Sequence, residues 1–309
     1  MRWWVKKIYL LFYFVPFTVA AQTDTLGVVT DKDDFSKKKL GWLVAAESVT
    51  YVSAMGILYS AWYKNYPSTS LHSFNDWDDW QQMDKAGHLT TGYYLSAVSF
   101  SFYNDLAGLN KKKSAWIGAG QSLFVLTSLE MFDGFSSGWG FSWSDMGFNT
   151  LGCGLFLSQQ QLWSEQRIKL KFSAHTTSFA QYRPELLGKN TAERLLKDYN
   201  GQTYWLSGNI FSFLKKESRF PKWLNVAVGY GAEGMTGGKE NVFINEAGQP
   251  VPGFTRYRQL YFSLDADLTQ IKTRSKFLKT TLKILNLVKI PFPALEISQG
   301  NAGMRWFYF

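Results

Sequence analysis

Three pairs of polar residues lie one helical turn apart inside segments that are otherwise apolar and rich in aromatic residues. The pairs are Asp84 with His88, Glu130 with Asp133, and Asp145 with Asn149. Residues three or four positions apart lie on the same face of an α-helix, so each pair predicts a shared helical face. Because ionisable groups are costly to bury without partners, the pairs predict a functional site or a polar cluster that fixes the helices.

Four segments in the first half of the chain have the length and apolar content of helices. They cover about 40–63, 84–103, 114–132 and 144–163. Ser, Thr, Gly and Tyr dilute these segments, so their composition is marginal for transmembrane spans. Short connections favour antiparallel neighbours, and we therefore expect a four-helix bundle over residues 40–164. In that arrangement the three polar pairs lie at one end, and Lys169 and Lys171 belong to the basic opposite end.

The first residues have the pattern of a secretory signal peptide. Arg2, Lys6 and Lys7 precede a short apolar run, and small residues follow it, so cleavage before Gln22 is expected. An uncleaved membrane anchor is the alternative. No cysteine follows the apolar run, and we expect no lipoprotein anchor. We predict a signal peptide over 1–21, a linker over 22–39, and export to the periplasm or outer membrane of a diderm bacterium.

Composition limits the partners of the chain. Aromatic residues make up 17% of the sequence and the formal net charge is +9. Amphipathic aromatic rings are typical of membrane interfaces, and basic charge attracts anionic lipid or acidic glycan. Because export removes nucleic acid as a partner, we expect membrane lipid and envelope proteins instead. Cys153 is the only cysteine, which excludes an internal disulfide and predicts a small buried residue.

After about Arg167 the apolar pattern changes from a helical period to alternation along strands. Strands are predicted over 204–214, 224–230, 258–268, 294–297 and 304–309, with an amphipathic helix or irregular excursion over 276–288. The aromatic ending at Phe309 is similar to the closing strand of outer-membrane barrels, although a strand of a soluble sheet has the same pattern. We predict an α+β fold, with an antiparallel β-rich region over 165–309. A partial outer-membrane barrel is one form of that region.

The polar residues between Phe74 and Gly154 follow a recognisable order. They are Asn75-Asp76, Trp80, Met83-Asp84-Lys85-Ala86-Gly87-His88, Glu130, Asp133, Asp145, Asn149 and Gly152. This order resembles the YfiM-like family of uncharacterised periplasmic proteins and, more distantly, the VanZ-like membrane proteins. Segments 182–188 and 197–205 are similar to the tail of longer envelope members. The resemblance implies an envelope location and a small helical bundle, and it implies no established reaction.

Two functional interpretations of the polar residues remain open. In the first, a divalent metal ion is held by carboxylate and imidazole ligands. The ligand candidates are Asp84, His88, Glu130, Asp133 and Asp145, and Lys85 and Asn149 complete the catalytic candidates. The chain is then an envelope hydrolase or a lipid- or glycan-modifying enzyme. No nucleophile motif, phosphate loop or HExxH accompanies these residues.

In the second interpretation, Lys85 and His88 neutralise the carboxylates in a buried polar lock that fixes the register of the helices. The protein then has a structural or accessory role at the outer membrane, as a partner in assembly or transport. We favour this role, while enzymatic activity and a bound metal ion stay open.

Overall fold

The computed structural model describes residues 37–61, 63–215 and 217–308. This part of the chain contains seven α-helices, several short helical turns, and one six-stranded antiparallel sheet. The predicted α+β class is therefore confirmed. The predicted signal peptide over 1–21 lies outside the described residues, and the predicted linker over 22–39 overlaps them only at 37–39, where the chain is helical.

The four helices predicted in the first half are all present, and their ends differ from the prediction by less than one turn. The helices are α1 (Lys37–Ala61), α2 (Met83–Ser101), α3 (Lys111–Gly134), α4 (Trp143–Trp163), α5 (Pro184–Leu187), α6 (Thr191–Lys197) and α7 (Lys276–Leu285). Side-chain caps explain two of the starts. Asn110 Oδ1 accepts the backbone N–H of Lys113, and Ser142 Oγ accepts that of Asp145.

The strands form a meander in which each strand pairs with the next one in sequence. They are β1 (Ile168–Ala174), β2 (Gln202–Asn209), β3 (Leu224–Glu233), β4 (Tyr257–Ala266), β5 (Phe292–Ser298) and β6 (Asn301–Tyr308). Five of these were predicted, but β1 was not. Lys169 and Lys171 lie in β1, so their assignment to one end of the helices was wrong.

Contacts divide the described chain into two units. The first contains Asp76–Thr90 and the chain from Glu165 onwards, and the second contains the chain up to Asn75 and Thr91–Ser164. The start of α2 therefore belongs to the unit of the sheet, while its remainder belongs to the unit of α1, α3 and α4. Each unit is described separately below.

In the second unit, glycines allow α2, α3 and α4 to approach closely. A Cβ atom on Gly92 would lie 2.5 Å from the carbonyl oxygen of Asn149, and one on Gly118 would collide with the backbone of α2. Ser122 Oγ donates a hydrogen bond of 3.1 Å to the Gly92 carbonyl. Cys153 is buried beside these groups, with its Sγ 3.3 Å from Ser122 Oγ. The predicted buried position of this cysteine is confirmed.

Helix α1 contains the candidate membrane span of the described residues. The stretch Gly41–Ser60 is long and apolar enough by length and composition, and none of it is buried. Its acidic residue, Glu47, accepts hydrogen bonds from Tyr103 Oη at 2.5 Å and from Gln121 Nε2 at 2.8 Å. These bonds tie α1 to other helices of the second unit and satisfy a carboxylate that lies within an apolar segment.

In the first unit, one face of the sheet is apolar, and much of it is exposed along β2–β5. Residues directly opposite one another on paired strands have their side chains on the same face, so the register of the strands assigns each side chain to one side. Nine large side chains on this face are exposed: Leu206, Val226, Val228, Leu260, Phe262, Leu264, Leu295, Ile297 and Met304. An antiparallel sheet in a water-soluble protein usually exposes its polar face. This sheet therefore exposes its apolar face and buries its polar face, which is the reverse of the usual arrangement.

The other face of the sheet is buried and carries polar and charged side chains. Lys171 Nζ lies 2.7 Å from Asp265 Oδ2, and both side chains are fully buried. Ser207 Oγ donates a 2.6 Å hydrogen bond to the same carboxylate oxygen. Trp205 and Tyr261 pack beside this network in a buried cluster. Because buried charges need partners, these contacts explain how charged side chains are accommodated on the buried side of the sheet.

Candidate functional site

The start of α2 carries a buried lysine between two carboxylates. Lys85 is fully buried, and its Nζ lies 2.8 Å from Asp76 Oδ2 and 3.1 Å from Asp84 Oδ2. His88 Nε2 lies 3.8 Å from the other carboxylate oxygen of Asp84, one helical turn away. The predicted pairing of Asp84 with His88 on one helical face is thus present. Lys85 adds a fixed positive charge to the pair.

Side chains from the β-rich part of the first unit complete this cluster. Tyr199 Oη donates a 3.1 Å hydrogen bond to Asp84 Oδ1. Gly87 allows Tyr204 to approach, since a Cβ atom there would lie 3.2 Å from the Tyr204 hydroxyl. Met83 is fully buried against aromatic side chains that include Tyr199 and Tyr204. The Asp84 carboxylate therefore pairs with the Lys85 ammonium and accepts a hydrogen bond from the Tyr199 phenol. The neighbouring His88 side chain is partly exposed.

The chain enters α2 through a left-handed turn of three consecutive non-glycine residues. Trp80, Gln81 and Gln82 have φ angles of 52°, 53° and 63°. For an L-residue this conformation costs about 1–2 kcal/mol, so the surrounding contacts must hold it. Tyr230 Oη donates to the Gln81 carbonyl, and Arg258 Nη2 donates to Gln82 Oε1 at 2.6 Å. Strain at this turn is therefore balanced by hydrogen bonds from β3 and β4.

Asp79, next to the left-handed turn, is a further acidic group of this cluster. Burial raises the pKa of its carboxyl above the usual range, and nearby Lys239 partly opposes the effect. Asp79 Oδ1 is buried and has no hydrogen-bond partner among the described residues. The Arg256 guanidinium donates to the carbonyls of Gly238 and Lys239. Burial thus favours the neutral form of the Asp79 carboxyl.

The second unit holds the other four predicted site residues. Glu130 is buried, and its Oε2 accepts the backbone N–H of Ser142 at 3.2 Å. Ser142 Oγ in turn accepts the N–H of Asp145 at 3.1 Å, so one capping serine links the two acidic residues. Asp133 Oδ1 accepts a 2.9 Å hydrogen bond from Tyr63 Oη. Burial, followed by the negative charge of Asp133, raises the pKa of the Tyr63 hydroxyl.

The seven candidate residues are therefore found in two groups. Asp84, Lys85 and His88 belong to the first unit; Glu130, Asp133, Asp145 and Asn149 belong to the second. Asp145 and Asn149 are both buried in α4, as their helical spacing predicted. Each group combines carboxylates with hydrogen-bond donors of its own unit. The shared metal or catalytic site predicted for these residues stays a prediction.

Within the first unit, Asp84 and His88 offer one carboxylate oxygen and one imidazole nitrogen to a cation or a proton. A carboxylate beside an imidazole is common in proton transfer and in metal ligation, and here the two groups lie 3.8 Å apart, which is longer than a hydrogen bond. The ammonium of Lys85 already provides a positive charge on the opposite side of the Asp84 carboxylate. The geometry therefore serves charge neutralisation directly, and the His88 side chain is partly exposed.

The sequence alone did not identify several contributors to these groups. Asp76 was named in the family-like order of polar residues but not as a site residue, and Asp79 lies in the acidic and aromatic stretch before α2, whose composition was the available signal. Tyr199 lies in the segment 197–205, which is similar to the tail of longer envelope proteins, and no local pattern connects it with Asp84. Tyr63 lies after α1, where its phenol reaches Asp133 across a large separation in sequence. The spacing of residues within one segment does not predict partners that are this distant in sequence.

The fold and the clusters define a mixed α+β protein with buried polar groups in apolar helices and a sheet that exposes its apolar face. Residues 73–159 match the model of a family described as "Predicted periplasmic lipoprotein (DUF2279)". No curated protein and no solved structure shows a significant match. The family description indicates the periplasm, which agrees with the predicted export. It supports no narrower assignment to the YfiM-like or VanZ-like proteins.

The description of that family includes lipid attachment. The one cysteine of this sequence, Cys153, is buried inside α4 and lies within the matched region. Its thiol contacts Ser122 and the backbone of α2, which is the environment of a packed core residue. The matched region covers α2, α3 and most of α4, and it ends before β1.

Proposed function

We propose that this chain is an exported cell-envelope protein with a structural or accessory role at the outer membrane, and that its sheet contacts the bilayer through its apolar face. The reversed polarity of the sheet carries this proposal. Transmembrane β-barrels have an apolar outer face and a polar interior, which is the arrangement of β2–β5 here. A contiguous exposed apolar surface of this size marks an interaction site in a protein.

The exposed part of the apolar face lies along the middle of the strands. Along β4, Leu260, Phe262 and Leu264 occupy alternate exposed positions on this side. Four residue steps at about 3.3 Å give an exposed apolar length of roughly 13 Å. The apolar band of outer-membrane barrels is about 25 Å tall, so this length covers about half of it. We therefore propose that the sheet is part of a barrel-like wall, with its buried polar side turned away from lipid.

Aromatic residues near the ends of the strands fit the same placement. Trp306 and Phe307 of β6 are 71% and 85% exposed, and Trp223, just before β3, is 47% exposed. Aromatic side chains form belts at both interfaces of a bilayer, because their rings suit the headgroup region. These large aromatic side chains would expose much apolar surface to water, and they suit the interface of a membrane.

For the second unit we propose a four-helix bundle in which the polar residues act as a lock. The hydrogen bonds of Glu130 and Asp133 join α3 to the start of α4 and to Tyr63. A satisfied polar network specifies one helix register, because any shift would leave buried charges without partners. This arrangement gives the acidic residues a role in the fold and needs no reaction.

Membrane fractionation tests the proposed location. We expect the full chain to co-fractionate with outer membranes and to be released by detergent but not by high salt. Phe262→Arg places a charge in the centre of the apolar face. An arginine on the lipid face of a barrel costs about 2–4 kcal/mol, so its membrane-bound to soluble ratio should fall by at least about 30-fold.

Gly253→Arg is the matched control for this substitution. Gly253 is exposed in the connection between β3 and β4, and nothing lies within 4 Å of the position of its Cβ. The control should fractionate like the original protein. Recovery of the original protein in the soluble periplasmic fraction, or equal behaviour of the two variants, would overturn the proposed membrane contact.

Purification in mild detergent tests the accessory role. Envelope proteins that assemble with the chain should remain bound and be identified by mass spectrometry. They should be lost when the membranes are first solubilised in denaturing detergent. A chain that is recovered alone from native membranes contradicts the role as a partner in assembly or transport.

A second candidate function is an envelope hydrolase or a lipid- or glycan-modifying enzyme. The raised pKa of Asp79 beside the Asp84, Lys85 and His88 group favours it, because such groups are concentrated in active sites. In this proposal a divalent metal ion is held by some of the five predicted ligands. Metal analysis of the original protein and of Asp84→Ala and Glu130→Ala distinguishes the two functions. Loss of bound metal at unchanged melting temperature supports the enzyme, and loss of folding supports the lock.

A further inference from the structure

Two long connections lie at the same end of the sheet, and both are strongly basic. Leu224 opposes Ala266 in the register, so the β2–β3 connection (residues 210–223) and the β4–β5 connection (residues 267–291) share one end. Together they contain ten lysines and arginines and two acidic residues in the sequence, and one of the ten, Lys289, is fully buried. Asp267, one of the two acids, is already paired with Lys169 at 2.8 Å. We call these two connections the basic rim.

The basic rim contains an amphipathic helix whose apolar side is not covered. In α7, Lys279 and Lys283 lie on one side, while Phe277, Leu278, Ile284 and Leu285 lie on the other. All four apolar side chains are exposed, and Phe277 is 82% exposed. A helix with a lysine-rich side and an uncovered apolar side is typical of segments that lie in the plane of a membrane interface.

The chemistry of the rim selects one kind of partner. The uncovered apolar side of α7 requires hydrocarbon, and its basic side requires anions near the same plane. A bilayer with anionic phospholipid headgroups offers both at once, with phosphate groups directly above the acyl chains. Free phosphate and nucleic acid offer the anions without the hydrocarbon. The apolar face of the sheet begins next to the rim, so lipid contact at both places is continuous along the first unit.

We propose that the basic rim binds the anionic phospholipid headgroups of a bilayer, with α7 lying in the interface. This inference rests on the proposed membrane contact of the sheet. It adds that anionic headgroups set the depth and orientation of the sheet in the bilayer. The apolar face of the sheet supplies sequence-independent attachment to hydrocarbon. The rim supplies preference for anionic over neutral lipid.

Vesicle flotation with the full chain tests this inference. One set of vesicles is pure phosphatidylcholine, and the other contains phosphatidylglycerol in addition. A basic residue near an anionic surface contributes about fivefold to membrane affinity. We expect the triple variant Lys272→Gln, Arg274→Gln, Lys279→Gln to lose at least about tenfold in affinity for the anionic vesicles. Its binding to phosphatidylcholine should be unchanged.

The matched control removes the same charge elsewhere. Lys111, Lys112 and Lys113 are exposed at the start of α3, so replacing all three with Gln should leave the preference for anionic vesicles intact. Phe277→Ser should weaken binding to both kinds of vesicle, because it removes an apolar contact. Raising the salt concentration should abolish the preference for anionic vesicles.

The outcomes separate this inference from the proposed function. If the original protein floats equally well with both kinds of vesicle, or if the control variant loses as much affinity as the rim variant, the inference about headgroups is wrong. The proposed contact of the sheet then still stands. If the original protein floats with neither kind of vesicle, both proposals are wrong.

Discussion

Lys85 Nζ lies 2.8 Å from Asp76 Oδ2, and the lysine side chain is fully buried. Replacing Lys85 with Met keeps much of its length and removes its charge, which leaves Asp76 and Asp84 without their shared counter-ion. Breaking a buried ion pair in this way costs about 3–5 kcal/mol. We expect Lys85→Met to lower the free energy of unfolding by that amount, measured by urea denaturation at an unchanged m-value.

Lys189→Met provides the comparison in the same unit. Lys189 Nζ lies 3.0 Å from Glu185 Oε2, but the two side chains are 53% and 35% exposed. An exposed pair contributes at most about 1 kcal/mol, so this variant should be nearly as stable as the original protein. Equal destabilisation by the two substitutions would contradict a specific role for the buried lysine.

Gly92→Ala should destabilise the helices of the second unit. The added Cβ atom would lie 2.5 Å from the Asn149 carbonyl oxygen, so α2 and α4 must separate. Overpacking of this kind costs about 1–3 kcal/mol. Gly120→Ala in α3 is the control, because nothing lies within 4 Å of its Cβ position, and it should gain up to about 1 kcal/mol from helix propensity. Thermal unfolding of both variants should show opposite signs.

Gln81→Gly should stabilise the turn that leads into α2. Gln81 has a φ of 53°, which glycine adopts without the steric cost that an L-side chain meets. Glycine also raises the conformational entropy of the unfolded chain, which offsets part of this gain. The net increase in the free energy of unfolding is therefore up to about 1 kcal/mol. Gln82→Gly relieves similar strain but removes the acceptor for Arg258, so it should gain less or lose stability. A larger gain for Gln82→Gly in urea denaturation would contradict this assignment.

Asp79→Asn should raise the melting temperature at pH 7 and lose its advantage in acid. Burial raises the pKa of Asp79 in the folded protein, so folding disfavours its charged form. Below the unfolded pKa of about 4 the carboxyl is neutral in both states, and the penalty is absent. The penalty grows as the pH rises from there through the raised folded pKa. The charged groups that act on Asp79 include Lys239, Asp76, Asp84 and Lys85, and the Arg256 guanidinium also interacts with its charge.

The control for this prediction is Asp78→Asn, which changes a neighbouring exposed carboxyl. It should leave the melting temperature nearly unchanged at pH 7 and at pH 3. A gain for Asp79→Asn that persists unchanged at pH 3 would show that the effect does not come from its ionisation.

The long helices and the α+β class could be predicted because their signals are local. Apolar content and length located all four helices of the first half, and the caps Asn110 and Ser142 explain where two of them begin. Helical spacing placed Asp84 beside His88 correctly. Alternation of large apolar residues located five strands, although the predicted strand over 204–214 ends at Asn209, where a short helical turn begins.

Partners that are distant in sequence could not be predicted in the same way. The lysines of β1 were expected at a basic end of the helices, and only the pairing of Lys171 with Asp265 shows that they belong to a buried face. The left-handed turn at Trp80 has no glycine to mark it. Tyr199 and Tyr63 reach their carboxylates through tertiary packing. Spacing within one segment holds no information about such contacts.

The order of the strands has a consequence for how this sheet is built. Because β1 to β6 follow one another across the sheet as they do along the chain, each new strand needs only the edge left by its predecessor. Each pairing then closes a loop of limited length, and the entropy lost in closing a loop grows only slowly with its length. Assembly can advance hairpin by hairpin from the N-terminal side, and the final strand, which carries the exposed Trp306 and Phe307, is added last.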